Sequence, residues 1–224
     1  MILELEKNES QQTTEWFADR LGKFTCSQLY RLMTEPRAKA DKDAGKLSDG
    51  AMTYVLECLS EQLTGFKAKE DFNSKYTDWG NEKEPEAKSI YCKVFDFDIK
   101  DVGTLHHATL NNFSGSPDGL VDDIGIVEIK CPYTITEHVK HHLMSLDSFK
   151  SDKPEYFWQC MGYLSLTNAN WIDFVSYSPH FKPKLRLKRL RLNKEDYLDE
   201  LSFLSQKIIK ANEELQLLIK QFNS

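Results

Sequence analysis

The chain has 224 residues, 40% of them hydrophobic, and a formal net charge of −6, a size that suits one domain of ordinary dimensions, or one domain with a helical extension. No run of about 18 apolar residues is present to span a bilayer, and the N-terminus MILELEKNESQQTTEW is too short and too acidic for a signal peptide. The acidic balance disfavours a simple nucleic-acid binder, and the five scattered cysteines (Cys26, Cys58, Cys92, Cys131, Cys160), without a C-x-x-C, give no disulfide framework, zinc ribbon or iron–sulfur cluster and point to a reducing cytosol.

Residues 15–33 read as two short helices around a turn at Gly22, with Ser27 or Thr25 as the cap of the second. The polar stretch 35–50 reads as a loop. A helix follows from Ser48, with Met52, Val55, Leu56, Leu59 and Leu63 on one face and Gly65 placed to end it. Residues 66–77 are again loop-like, and a helix is predicted over 78–93. Strands are predicted near 94–101, 104–107, 110–116 and 124–131, a helix over 155–167, and two strands in NWIDFVSYS and KLRLKRLRL. In the second, the alternation of Leu185 and Leu187 slips before Leu190 and Leu192, which predicts a bulge. A last helix starts after Asn193, where Glu195 and Asp196 favour the helix dipole. Its stripe of Leu201, Leu204, Ile208, Leu215, Leu218 and Phe222 is expected to pack on the core rather than to form an oligomer seam. Mixed strands and helices predict an α/β fold. It is organised as one domain over 1–224, with a motif-bearing core over about 15–192 and a C-terminal helix over about 194–222.

The chemistry concentrates in GSPDGLVDDIGIVEIKCPYT, residues 115–134. Asp118 heads a turn, while Glu128 and Lys130 sit two apart on a strand and so share a face. Charges in such an apolar run cost free energy unless paired or bound to a metal. Two carboxylates and the Ile129 carbonyl are hard oxygen donors suited to Mg²⁺ or Mn²⁺. Such an ion activates water and stabilises phosphoryl charge, with Lys130 beside it to offset developing charge. The bare D…E-x-K pattern also fits a surface hairpin with an ion pair; its flanks, SPDGL and EIKCP, are far more specific.

With those flanks stand WFADRLGKFTCS (16–27) with EPR ending at Arg37, WGNEKE (79–84) and YFWQCMGYLSLTNANW (156–171). Together these ordered motifs resemble the phage lambda exonuclease family, the YqaJ-type viral recombinase nucleases of the PD-(D/E)-x-K superfamily. The resemblance implies a restriction-endonuclease-like core, a central mixed β-sheet flanked by helices. It implies a Mg²⁺-dependent enzyme that digests one strand of double-stranded DNA from 5′ to 3′. The product is a 3′ single-stranded tail for a single-strand-annealing recombination protein, and the enzyme is a ring-shaped homotrimer in the cytoplasm of a bacterial host, as a phage or prophage protein. Carried across by residue, Asp118 and Glu128, with the Ile129 carbonyl, are metal ligands and Lys130 is the catalytic lysine. Glu84 is an auxiliary acid and Gln159 a polar residue at the scissile phosphate. Arg20, Ser27 and Ser116 hold the terminal 5′-phosphate, and Arg37 and Lys75 touch DNA near the cleft mouth.

The chain departs from the family at Ala108, where an acid is expected, leaving Asn112 or Glu84 to serve a second metal. It departs again at Thr77, beside Tyr76, where the family has an apolar wedge. His138 and His142, four apart, have helical metal-ligand spacing but no third ligand, and read as part of a polar helix. His106 and His107 read as strand residues near the cleft. The basic run 182–191, with six Lys or Arg in ten, reads equally as a phosphate track or as the solvated face of an edge strand. Two rival functions are an endonuclease on the same core and a non-catalytic DNA-end-binding protein.

Overall fold

A computed structural model describes residues 13–69 and 75–223. The N-terminal segment 1–12, and residues 70–74 of the predicted 66–77 loop, lie outside the described residues. Helix α1 (Thr14–Arg20) is capped by Thr13, whose hydroxyl accepts the Trp16 N–H at 3.1 Å. Strand β1 (Phe24–Thr25) leads into a 3₁₀ turn over Cys26–Arg31, where the second helix was expected. Thr25 makes no capping bond there; its hydroxyl lies 3.4 Å from that of Ser27 instead. The stretch read as loop contains a short helix, α2 (Lys39–Asp43), entered through Ala38–Lys39–Ala40, good helix formers among the polar residues.

Helix α3 (Asp49–Thr64) has the predicted ends: Ser48 Oγ accepts from the Ala51 N–H, and Gly65 closes it in the left-handed region at φ 73°. Its buried face is Ala51, Tyr54, Val55, Cys58 and Leu59, while Leu56 and Leu63 are exposed, because they fall beside that stripe rather than on it. Helix α4 (Lys75–Phe95) starts three residues before the predicted Asp78 and runs on into the stretch predicted as strand, so that β2 is only Ile99–Lys100. Then follow β3 (Leu105–His106), β4 (Phe113–Gly115), β5 (Gly119–Val121) and β6 (Gly125–Lys130). Helices α5 (Ile135–Leu143), α6 (Leu146–Asp152) and α7 (Pro154–Leu166) carry the chain to β7 (Trp171–Tyr177). Strand β8 (Leu187–Asn193) follows, then a 3₁₀ turn over Lys194–Tyr197 and α8 (Leu198–Phe222), which starts four residues later than predicted.

The fold class is the expected one, a mixed sheet with flanking helices and a long C-terminal helix. The main sheet has order β2-β5-β6-β7-β8, with β6 and β7 parallel and the other pairs antiparallel; β1-β4-β3 form a smaller sheet. Both faces of the main sheet are covered. Ile126, Ile172, Phe174, Leu190 and Leu192 join the larger core with residues of α3, α7 and α8. On the other face Val127, Ile129, Val175 and Tyr177 pack with Ala87 and Tyr91 of α4. The stripe of α8 packs as core through Leu204, Ile208 and Leu215, with Phe222 exposed at its end.

The predicted bulge is absent. The β7–β8 ladder runs unbroken from Trp171↔Asn193 to Tyr177↔Leu187. Leu185 belongs to a 3₁₀ turn before the strand, and Leu187 faces the opposite core from Leu190 and Leu192. The basic run is neither of the two surfaces proposed for it at its C-terminal end. Arg191 makes a two-pronged bond to the buried Asp173, at 2.7 Å for each prong, and lies 3.5 Å over the Trp171 ring; Arg189 sits 3.9 Å over Phe95. Among the described residues, no helix is long and apolar enough to cross a membrane.

Helix α5 inverts the usual amphipathic order. His138 and His141 are buried, whereas Ile135, Val139 and Leu143 face solvent. Both histidine Nδ1 atoms meet Ser176 Oγ, at 2.9 and 2.8 Å, and His138 and His142 each reach the Leu185 carbonyl with Nε2 at 2.9 Å. Their partners account for the spacing without a metal. Burial pushes the His141 pKa down to about 4, against the pull of Glu137. The unfolded chain therefore takes up a proton near pH 6.5 that the folded protein does not accept. Stability is full above that pH and falls as pH drops towards 4, by up to about 3 kcal/mol. Urea unfolding at a series of pH values should show this slope, and His141→Asn should flatten it.

Candidate active site

The β4–β5 turn and the C-terminal half of β6 bring Asp118, Glu128 and Lys130 together at one end of the central strand. Asp118 Oδ2 accepts the backbone N–H of Ile129 at 2.6 Å, which ties the turn to the strand between the other two residues. Glu128 is only 2% exposed. Its Oε1 accepts from Lys130 Nζ at 2.5 Å and from Gln159 Nε2 at 2.8 Å. Its Oε2 is buried and takes no hydrogen bond from any described residue.

Asp118 and Lys130, but not the buried Glu128, line a cleft of about 460 Å³, whose walls also include Glu84, Tyr133 and Tyr156. Burial, then the charges of Glu128 and Glu84, hold the Asp118 carboxyl well above the usual range. Burial also raises Glu128, against the opposing pull of Lys130. Burial works against the Lys130 ammonium, but Glu128 and Asp118 outweigh it and hold its pKa above the ordinary value. The cleft is thus short of positive charge. Among the described residues no three His, Cys, Asp or Glu side chains converge as metal ligands. What this end of β6 offers a cation is the Asp118 carboxylate at the cleft wall, the Glu128 carboxylate buried beside it with an unpartnered oxygen, and a backbone carbonyl. That donor set fits a hard divalent ion completing its shell with water.

Glu84 lines the cleft from α4 and pairs with Lys88 at 3.0 Å. Asn112 does not come to the carboxylates: its side chain is engaged by Gln62 of α3 and Asn212 of α8. Gln159 is turned inward, donating from Nε2 to Glu128 and, at 2.9 Å, to the Tyr163 hydroxyl. Tyr163, absent from the predicted set, donates in turn to the Ser116 carbonyl at 3.0 Å. Its signal was present in the sequence as a Gln and a Tyr four apart, which share a helix face.

The Ser116 hydroxyl accepts from Arg20 at 3.1 Å and from the Trp16 indole N–H at 2.9 Å, with the Arg20 guanidinium 4.4 Å over the Trp16 ring. A continuous chain of bonds therefore joins Arg20 to Glu128 through Ser116, Tyr163 and Gln159. Gly115 permits this approach, since a Cβ there would meet Cys26 Sγ at 2.3 Å and the Tyr163 ring at 2.9 Å. Ser27 pairs with Thr25 rather than with Arg20 or Ser116. Lys75 lies at the cleft rim, its Nζ 5.2 Å from the Tyr133 ring centre. Arg37 is exposed in the segment before α2 and does not line the cleft.

A family model described as the YqaJ-like viral recombinase domain matches residues 15–170. The chain belongs to that family. The matched span includes every residue of the Arg20-to-Glu128 chain, together with Asp118, Lys130 and Glu84. Among solved structures, this YqaJ-like chain is similar to an alkaline exonuclease, LHK-Exo, from Laribacter hongkongensis. The identity is 29%, over 94% of this chain and 98% of that one, with a TM-score of 0.71. The same enzyme in complex with dAMP matches equally. A phage related exonuclease from Haemophilus somnus 129PT, at 24% identity over 89% and 96% of the chains, shares the fold with a TM-score of 0.70. No curated protein sequence matches.

Proposed function

We propose that this YqaJ-like chain is a metal-dependent deoxyribonuclease that digests one strand of double-stranded DNA from its 5′ end and leaves a 3′ single-stranded tail. The observation that carries the reading is the buried, unpartnered Oε2 of Glu128 beside Asp118 and Lys130, which themselves line an open cleft. The likeness to an alkaline exonuclease that has been solved with a nucleoside monophosphate supports exonucleolytic action.

In this reading Asp118, Glu128 and the Ile129 carbonyl hold the ion, Mg²⁺ or Mn²⁺, with Glu84 as an auxiliary acid. When bound, such an ion lowers the pKa of a water and offsets charge on the phosphoryl oxygens. Lys130 presents its ammonium to charge that develops on the phosphate. Gln159 and Tyr163 keep Glu128 in register with Ser116. The reading extends to one domain acting in the host cytoplasm as a ring trimer, handing its tail to a strand-annealing protein, with Arg37, Ser27 and Lys75 on the DNA path.

Arg20 and Ser116 suit a terminal 5′-phosphate, which carries more charge and more free oxygens than an internal diester. Duplex bearing a 5′-phosphate should be digested faster than duplex bearing a 5′-hydroxyl, and Arg20→Ala should erase most of that preference. Timed digestion of both substrates checks this; a full preference in Arg20→Ala would remove the phosphate from this cradle. The function itself is tested with end-labelled linear duplex and closed circles, with Mg²⁺ or with EDTA. Nucleotides released from 5′ ends only, and only with the ion, are expected. Cutting of closed circles would make the enzyme an endonuclease, and no release would leave an end-binding protein.

A further inference from the structure

Tyr156 is absent from the set of residues assigned above, yet it lies against Lys130. It stands three residues before Gln159 on α7, so the two share a helix face. Gln159 clamps Glu128, and Tyr156 brings its ring to Lys130, with Nζ 5.2 Å from the ring centre. The ring is itself fixed. It stacks on Phe174 of β7 at 5.4 Å and 26°, and meets His141 edge-on at 5.9 Å. Lys153, paired with Glu137, lies 5.6 Å from the same ring centre.

We propose that Tyr156 is the positioning residue for Lys130, holding the ammonium at the cleft through the face of its ring. An ammonium has three donors and no acceptor. One donor is engaged by Glu128. A second carboxylate would hold the lysine in place but would compete with substrate phosphate for its charge. An aromatic face attracts the cation through its quadrupole and contributes no anionic oxygen. The lysine is then restrained on a flexible four-carbon stem while its other donors stay available. This inference rests on the proposed nuclease reading for what Lys130 acts upon, and on geometry alone for what holds it.

The contact can be read without turnover. With lysine labelled at the ε carbon, the ε protons of Lys130, identified by their loss in Lys130→Arg, should be shifted upfield by the ring current of Tyr156. The shift should vanish in Tyr156→Leu and persist in Tyr156→Phe. Kinetically, Tyr156→Leu should lower kcat about tenfold, the size of one such contact, with little change in KM. Tyr156→Phe should restore most of that loss. Phenylalanines of increasing ring fluorination at this position, which scarcely change volume, should lower kcat step by step. A normal upfield shift in Tyr156→Leu, a flat fluorination series, or a loss as large in Tyr156→Phe as in Tyr156→Leu would overturn the proposal. A wild-type protein that shows the shift but releases no nucleotide would overturn the nuclease reading and leave the positioning of Lys130 intact.

Discussion

Glu128→Gln should reduce nucleotide release at least about a thousandfold while leaving the fold as stable as before or more so. The substitution keeps the size of the side chain and an oxygen to accept from Lys130 and Gln159. It removes the charge of a carboxylate that is 2% exposed and whose second oxygen has no hydrogen-bond partner among the described residues. Burial holds the Glu128 pKa above its ordinary value, so the ionised form is a cost to the folded state. Removing that charge relieves the fold and takes away an oxygen donor from the ion site proposed above. DNA affinity should persist or rise, because negative charge is lost beside phosphate. Single-turnover digestion, DNA titration and thermal unfolding of the variant read the three quantities. Near-normal turnover would take Glu128 out of the chemistry, and a large loss of stability would mean that its charge is structural.

Arg191→Met should lower stability by about 3 kcal/mol, through a group on the other face of the sheet from Glu128. Asp173 is fully buried, and its carboxylate is held by the fork of Arg191 at 2.7 Å and by the Tyr91 hydroxyl at 2.7 Å. Methionine fills much of the volume but leaves a buried carboxylate with the tyrosine and with Arg189, whose nearest nitrogen is 3.6 Å away. The penalty is that of the stranded charge rather than of the lost pair, so adding Asp173→Asn to Arg191→Met should recover part of it. Asp173 points to the face of the sheet opposite Glu128, and digestion at low temperature should be spared. Urea unfolding should show a lower midpoint at unchanged slope. A shift well under 1 kcal/mol would mean that Arg189 replaces its neighbour.

Asp118, Glu128 and Lys130 were legible because their signals are local. Asp118 in a turn and Glu128 and Lys130 two apart on a strand need only backbone periodicity, and Ser48 and Gly65 mark helix ends by their own preferences. What stayed hidden depends on partners distant in sequence. Nothing in the run KPKLRLKRLR says that two of its arginines turn towards Asp173. Nothing in TEHVKHH says that its histidines face inward, because Ser176 and the Leu185 carbonyl satisfy them only once β7 and the turn before β8 are in place. The false bulge has the same origin: a slip in alternation looks like a defect unless both faces of the strand are covered. Strand β5 was too short, and too close to the turn at Asp118, to register.

The chain of bonds from Arg20 to Glu128 also bears on when the protein becomes capable of cutting. Beside the one within α7, its three other links join positions 96, 47 and 31 residues apart along the chain. Each of those three closes only after the entropy of a long loop has been overcome. A polypeptide emerging from the ribosome exposes Asp118, Glu128 and Lys130 before Gln159, Tyr163 and β7 exist to clamp and cover them. Assembly of the cleft therefore coincides with closure of the whole sheet rather than with any one element. The unfinished chain therefore lacks a formed cleft: competence arrives last, and all at once.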